Sequence, residues 1–146
     1  MRQPEYWIRP AAAIKIIASV GYYLLASIIN EPLMNEKLDG FSLLNEVKNL
    51  QFPSGCAGEE IEGIELVLLD ADVVGCADQF YGRFGNLRKP KIEIKNALLS
   101  CKKDLEAVLP KLPNNSKAYF NRLLILCNVV LRDFQESVQT TIEANK

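Results

Sequence analysis

The sequence predicts an all-α fold, namely an antiparallel four-helix bundle with an extra short helix. Apolar residues recur every three or four positions over long segments, and turns rich in proline, glycine and asparagine separate these segments. The main helices are expected at residues 11–30, 59–81, 91–109 and 116–145, and the short helix at 41–50. Together they form one predicted domain, 1–146, with an extended lead-in at 1–10 and a loop at 51–58.

The last helix is the element around which we expect the others to pack. Along this helix, residues at alternating spacings of four and three form one largely apolar stripe, or seam, over three heptads. The seam consists of Phe120, Leu124, Cys127, Leu131, Phe134, Val138 and Thr141. Ser116 follows a Pro-Asn-Asn turn, so its hydroxyl is expected to cap the helix. The run from Leu123 to Leu131 is apolar except for Asn128, and most of its girth should therefore be covered.

The helix at 91–109 follows the same rule and should pair with the last helix. Pro90 precedes it, and its seam consists of Ile94, Leu98, Cys101, Leu105 and Val108. The short stretch from Pro110 to Asn115 joins the two helices. We therefore expect them to be antiparallel neighbours.

Residues 11–29 are apolar apart from Lys15 and a narrow stripe of small polar residues. Their length alone would allow a membrane span. A helix with a polar stripe and a broad apolar face fits a bundle better, so membrane contact through residues 11–29 is not favoured. Part of its apolar surface is expected to remain uncovered, together with the surface around Leu123 to Val130, and to form a docking or dimer interface. The candidate interface residues are Ile17, Leu24, Leu25, Leu123, Leu126 and Val130.

Residues 59–81 are ambiguous between a helix and a strand. Acidic residues at the start suit a helix N-terminus, whereas Ile64–Gly75 is a mostly apolar run that contains Asp-x-Asp towards its end. The run is long for a strand, so a helix is favoured. Gly63 and Gly75 each cost about 1 kcal/mol relative to alanine inside a helix, which leaves the ends of this helix uncertain.

The chain has no histidine, which excludes several classes of catalytic and metal site. These are histidine-based zinc sites, histidine-assisted serine and cysteine triads, and the Glu-x-x-His di-metal bundles. We therefore expect no metal and no cofactor, and a non-catalytic role. The net charge of −1 gives no global field for nucleic acid, which is accordingly not the favoured partner.

The four cysteines form no Cys-x-x-Cys motif. Cys101 and Cys127 lie on the two facing seams at similar distances from the turn, so they are a candidate redox pair. The alternative is that both are buried thiols that pack as small apolar groups. Cys56, in the loop, is the one expected to be exposed.

Asp70-Ala71-Asp72 resembles, over a few residues, the strand-end Asp-x-Asp motif with which glycosyltransferases hold a divalent metal on a sugar nucleotide. The resemblance implies an alternative function, a metal-dependent nucleotide or sugar-nucleotide enzyme that uses Glu65, Asp70 and Asp72. On a helix, however, Asp70 and Asp72 point about 200° apart and cannot share one metal. A solvated helix face is the favoured interpretation.

The stretch 80–91 is the basic part of the chain in which aromatic residues are interleaved, and it contains Gly82-Arg83-Phe84-Gly85. A turn of this kind would bind phosphate or RNA through its cations and stack its rings on bases. The candidate residues are Arg83, Arg88, Lys89 and Lys91. The alternative is a helix–helix turn whose aromatic side chains cover the core.

Charge is segregated along the chain: residues 51–82 contain seven acidic side chains and no basic one, while residues 83–117 contain nine basic and three acidic ones. Neighbouring helices would attract each other through such blocks, or the blocks would mark a partner surface. The sequence therefore predicts an accessory or adaptor protein that binds a protein partner or another copy of itself. No convincing signal peptide is seen, so a cytoplasmic location is expected.

Overall fold

The computed structural model describes residues 37–146, and four α-helices make up most of this part of the chain. They are α1 (Gly40–Lys48), α2 (Leu66–Tyr81), α3 (Ile92–Val108) and α4 (Asn114–Ala144), with short 3₁₀ helices at Ser54–Cys56 and Leu109–Lys111. This mostly helical content agrees with the all-α prediction. The four-helix bundle itself stays a prediction, because the helix expected at 11–30 lies outside the described residues.

A two-stranded hairpin occupies the first part of the segment that was predicted as a helix at 59–81. Strand β1 (Glu60–Ile61) pairs with β2 (Ile64–Glu65) in antiparallel register. The turn residues between them, Glu62 and Gly63, have φ values of 52° and 80°. Positive φ at both positions is the geometry that matches the twist of a two-residue hairpin. The predicted helix start at Glu59 is therefore wrong, because the hairpin occupies this segment and the helix begins seven residues later, at Leu66.

Two helix starts are set by residues other than those expected. At the end of the hairpin the Glu65 carboxylate accepts a hydrogen bond of 3.2 Å from the Val67 backbone and so caps α2. Helix α4 begins at Asn114, two residues earlier than predicted, so Ser116 does not act as its cap. The buried Ser116 hydroxyl instead accepts a hydrogen bond from the Cys56 thiol over 3.2 Å. Cys56 is only 1% exposed, which corrects the expectation that it faces solvent.

Contacts between α3 and α4 establish that these helices run antiparallel, as predicted. The Lys95 ammonium lies 6.0 Å from the centre of the Phe134 ring. Further along α3, Cys101 is close enough to Cys127 for the two thiols to influence each other electrostatically. Residues later in α3 therefore lie beside residues earlier in α4, as in an antiparallel pair.

Helices α2 and α4 run parallel, because two hydrogen bonds join them in the same order along both helices. The Tyr119 hydroxyl donates to Asp70 over 2.6 Å near the start of each helix. The Tyr81 hydroxyl donates to Asp133 over 2.6 Å further along both. Helix α1 packs on α2 and α4, and α3 also packs on both.

The predicted seams of α3 and α4 form the centre of the core. On α4, Phe120 and Cys127 are fully buried and Phe134 is 5% exposed. All five seam residues of α3 are buried as well. Helix α2 contributes Phe80, whose ring stacks on that of Phe134 with centroids 6.0 Å apart. The periodicity argument is confirmed for α3. On α4 it is confirmed in part, because Leu124, Leu131 and Val138 are half-buried and Thr141 is exposed.

A buried polar network fixes the end of the core where α1, α2 and α4 meet. Asp133 is 3% exposed. One of its carboxylate oxygens accepts the hydrogen bond from Tyr81, and the other accepts hydrogen bonds from two nitrogens of Arg132, at 2.9 and 2.7 Å. Arg132 also donates to the Leu38 carbonyl over 2.7 Å. A carboxylate buried this deeply is tolerated because both of its oxygens are hydrogen-bonded.

Residues Leu38–Lys146 form one compact unit. That residues 1–146 together form a single domain stays a prediction, since it includes residues outside the described part of the chain. Within the described helices, none combines the length and the apolar character required to cross a bilayer. The segment 11–29, for which membrane contact was considered, lies outside the described residues.

Gly40 provides a direct test of the packing around the polar network. A Cβ atom at this position would overlap the Tyr81 hydroxyl and approach the Asp133 carboxylate. We expect Gly40→Ala to lower the free energy of unfolding by about 2–3 kcal/mol, because it overpacks the site and displaces a buried hydrogen bond. Urea unfolding followed by circular dichroism measures this change.

Gly75, in the middle of α2, is the matched control for that substitution. No atom lies within 4 Å of a Cβ built there. Gly75→Ala should therefore raise the free energy of unfolding by about 0.5–1 kcal/mol through helix propensity alone. Equal effects of the two substitutions would contradict the packing described here.

Candidate functional site

Helix α2 is apolar on two opposite faces. One face is buried in the core and consists of Leu66, Leu69, Val73, Ala77 and Phe80. The other carries Val67, Leu68, Ala71, Val74 and Gly75, which recur at helical spacing about half a turn away from the first set. Val67 is 39% exposed, Leu68 is 58% exposed and Ala71 is exposed, so the first part of this face is open to solvent, whereas Val74 and Gly75 are half-buried.

A cleft of about 490 Å³ lies beside this open face, between α2 and the segment formed by α1 and the loop after it. Its apolar lining is contributed by Val47, Leu50, Phe52, Ala71, Val74 and Gly75. Because Ala71 and Gly75 have small side chains and lie one turn apart, the wall formed by α2 is shallow there. The cleft therefore has the form of an open groove.

Polar side chains at the edge of the cleft are already paired with one another. Lys48 on α1 and Asp78 on α2 form an ion pair of 2.8 Å, and each side chain is more than two-fifths exposed. Asp70 accepts the Tyr119 hydrogen bond described above. Partial burial raises the pKa of Asp70, although the Tyr119 hydrogen bond opposes the shift. The edge consequently has two carboxylates for one ammonium group, and it remains acidic.

The three carboxylates of the metal-enzyme alternative do not come together. Glu65 caps α2, Asp70 is bonded to Tyr119, and Asp72 is exposed on another side of the helix. Across residues 37–146, no group of three histidine, cysteine, aspartate or glutamate side chains is arranged to hold a metal ion. The arrangement gives no support to the resemblance to Asp-x-Asp glycosyltransferases.

The interface predicted on α4 is not available on the surface. Leu123, Leu126 and Val130 are each 0% exposed and belong to the core. Their burial follows from the contacts of α4 with α1, α2 and α3, which leave few faces of this helix uncovered. The other three predicted interface residues, Ile17, Leu24 and Leu25, lie outside the described residues.

The candidate phosphate-binding residues are only partly free to bind a ligand. The Arg88 guanidinium lies 5.3 Å from the centre of the Tyr81 ring and 3.7 Å from the Asp39 carboxylate, so Arg88 closes the turn onto the core. The Arg83 guanidinium lies 5.5 Å from the centre of the Phe84 ring. Lys89 and Lys91 are exposed. Arg88 is thus engaged within the fold, and phosphate binding by this turn stays a prediction.

The candidate redox pair belongs to a cluster of three buried or half-buried thiols. The Cys127 thiol is influenced electrostatically by Cys101 on α3 and by Cys76 on α2, while redox pairing of Cys101 with Cys127 stays a prediction. All are free thiols. Burial, together with the electrostatic influence of the nearby thiols, raises the pKa of Cys101 and that of Cys127 to about 12. Since the thiolate is the reactive form, these cysteines are chemically protected.

The cleft is the feature that sequence reasoning missed, although a signal was present. Gly75 interrupts an otherwise good helix at a cost of about 1 kcal/mol, and such a glycine often has a packing or binding reason. Together with Ala71 it marks the open face of α2. The apolar residues around them look the same in sequence as those of the buried face, so periodicity alone does not separate the two.

Comparison of the chain with protein-family models, with curated proteins and with solved structures finds no significant match. The function is accordingly argued from the geometry of the described residues.

The thiol cluster leads to a prediction about alkaline stability. The two core thiols have a pKa of about 9 when unfolded and about 12 when folded, so their contribution to stability is complete below pH 9 and is lost as the pH rises towards 12. We expect the free energy of unfolding to fall by up to about 1.4 kcal/mol per pH unit for each thiol in that range.

Urea unfolding at a series of alkaline pH values measures this loss. The matched variant carries Cys101→Ala and Cys127→Ala, and its alkaline loss should be clearly smaller because the two largest thiol contributions are removed, while those of Cys76 and the tyrosines remain. The same loss in both chains would show that the cysteines do not cause it.

Proposed function

We propose that this chain is a non-catalytic docking domain, which binds a basic amphipathic helix of another protein in the cleft beside α2. The observation that carries the proposal is the second apolar face of α2, with Leu68 58% exposed and Val67 39% exposed. A helix that is apolar on both sides is normally covered on both sides. Covering this face would remove the exposed apolar surface from water.

The shape of the cleft supports a helix as the occupant. Ala71 and Gly75 form a shallow wall one helical turn long, and a Cβ at Gly75 would meet open space. Small residues at this spacing let the backbone of a second helix approach closely. Helix-in-groove recognition uses apolar anchors one or two turns apart, and Val47, Phe52 and Val74 line the groove for such anchors.

The charge at the cleft supports a basic partner. Two carboxylates, Asp70 and Asp78, and one ammonium group, Lys48, line the cleft. Residues 51–82, which include α2, carry seven acidic side chains and no basic one. Lysine or arginine residues flanking the apolar anchors would complement this edge and speed association. In a symmetric dimer the same acidic patch would occur on both copies, so a second copy is a poorer occupant.

A model peptide provides the test. The probe is a fluorescein-labelled helix of about five turns with leucine along one face and lysine elsewhere, at ~3.6 residues per turn. We expect fluorescence anisotropy to detect binding by the full chain, and weaker binding of a counterpart in which glutamate replaces lysine. Equal binding of both peptides, or of neither, would overturn the proposal.

Two substitutions, one on the exposed first turn of α2 and one in the cleft itself, locate the binding site. Leu68→Ser removes an exposed apolar contact, and Gly75→Arg fills the groove with a cation without striking the core of the chain. Together they should weaken binding roughly tenfold or more, the effect expected at a central interface contact. The matched control is Leu99→Ser on α3, where Leu99 is 45% exposed, and it should leave binding unchanged.

Sedimentation separates this proposal from self-association. We expect the chain to be monomeric at micromolar concentration. A dimer that is lost on Gly75→Arg would replace the proposed partner with a second copy.

A further inference from the structure

Three of the seven large apolar side chains that are strongly exposed in the described part of the chain fall within nine residues, in the connection after α2 and at the first position of α3. They are Phe84, Leu87 and Ile92, which are 73%, 48% and 56% exposed. Phe84 is the most exposed of the seven. Single exposed apolar residues are ordinary, but this local concentration at one connection indicates an interaction surface.

Backbone hydrogen bonds hold this connection in a defined shape. The Leu87 N–H donates to the Tyr81 carbonyl over 2.9 Å, and the Gly85 N–H donates to the Gly82 carbonyl over 3.2 Å. Gly85, at φ 76°, lies against the Phe41 ring, where a Cβ would not fit. The turn is thus fixed against α1 while Phe84 points into solvent. Presenting Phe84 to a partner would cost little additional ordering.

The same segment is strongly basic. Residues 83–91 contain four basic side chains and no acidic one. Arg88 is turned towards Tyr81 and Asp39, which leaves Arg83, Lys89 and Lys91 exposed around the apolar side chains. Apolar side chains surrounded by lysine and arginine suit the boundary between acyl chains and anionic headgroups.

We propose that the 83–92 connection is a peripheral membrane contact, which inserts Phe84, Leu87 and Ile92 into the interface of an anionic lipid bilayer while its cations bind the headgroups. RNA fits these residues less well, because Leu87 and Ile92 are aliphatic and offer no ring for base stacking. The Phe84 ring already has the Arg83 guanidinium 5.5 Å from its centre. This surface is independent of the cleft beside α2.

Vesicle co-sedimentation with the full chain tests the proposal. The two vesicle types are phosphatidylcholine alone and phosphatidylcholine mixed with phosphatidylserine. We expect salt-sensitive binding to the mixed vesicles, and roughly tenfold weaker binding for Phe84→Ser. Lys89→Glu with Lys91→Glu should weaken binding by at least roughly fivefold per residue, as each loses attraction to the anionic surface.

The matched control is Leu99→Ser with Lys103→Glu, an exposed apolar and basic pair on α3. It should bind as the unaltered chain does, and circular dichroism should confirm that every variant folds. Three results would overturn the proposal: no binding to mixed vesicles, the same binding after Phe84→Ser as before, or binding of a single-stranded RNA probe that depends on Lys89 and Lys91 while vesicles are not bound.

Discussion

The hydrogen bond from the Tyr81 hydroxyl to the buried Asp133 carboxylate is the constraint on which the arrangement of these helices depends. It joins the last residue of α2 to the middle of α4 at 2.6 Å, and Arg132 completes the coordination of the carboxylate. Burial, together with the bond to Asp133, raises the pKa of Tyr81 far above its usual value, so the phenol stays protonated and keeps donating. The Tyr81 hydroxyl therefore remains a hydrogen-bond donor at alkaline pH.

This bond also determines which residues can surround it. Gly40 has no side chain because the Tyr81 hydroxyl occupies the space, and the start of α1 is thereby brought against α2 and α4. Arg88 covers the outer side of the Tyr81 ring and fixes the turn that carries Phe84. With one face of α2 held in the core by these contacts, its opposite face remains open beside the cleft. Both proposed interaction surfaces therefore adjoin α2.

Local periodicity was sufficient to predict the parts of the fold that depend on it. The seams of α3 and α4 place Phe120, Cys127 and Phe134 in the core as expected. It failed at Glu62-Gly63, where a helix was predicted but a hairpin turn with two positive φ values is found. The spacing of apolar residues carries no information about such a turn. Of the four cations predicted to bind phosphate at the turn, Arg88 instead packs on the Tyr81 ring and pairs with Asp39.

Contacts between distant residues were beyond the reach of the sequence. Tyr81 and Asp133 are 52 positions apart, and nothing in either local pattern identifies the other as its partner. Leu123, Leu126 and Val130 were expected at an interface because α4 has apolar residues around most of its girth. In the structure, α1, α2 and α3 pack around α4 and bury these residues. Helix α2 is also apolar on two sides, but part of its second side is exposed.

A double-mutant cycle between Tyr81 and Asp133 tests the central claim most directly. Urea unfolding would be measured for the unaltered chain, for Tyr81→Phe, for Asp133→Ala and for the chain with both substitutions. A coupling energy of about 1.5–3 kcal/mol is predicted, the range for a buried hydrogen bond to a charged group. A coupling energy near zero, with the two single effects simply additive, would contradict the account.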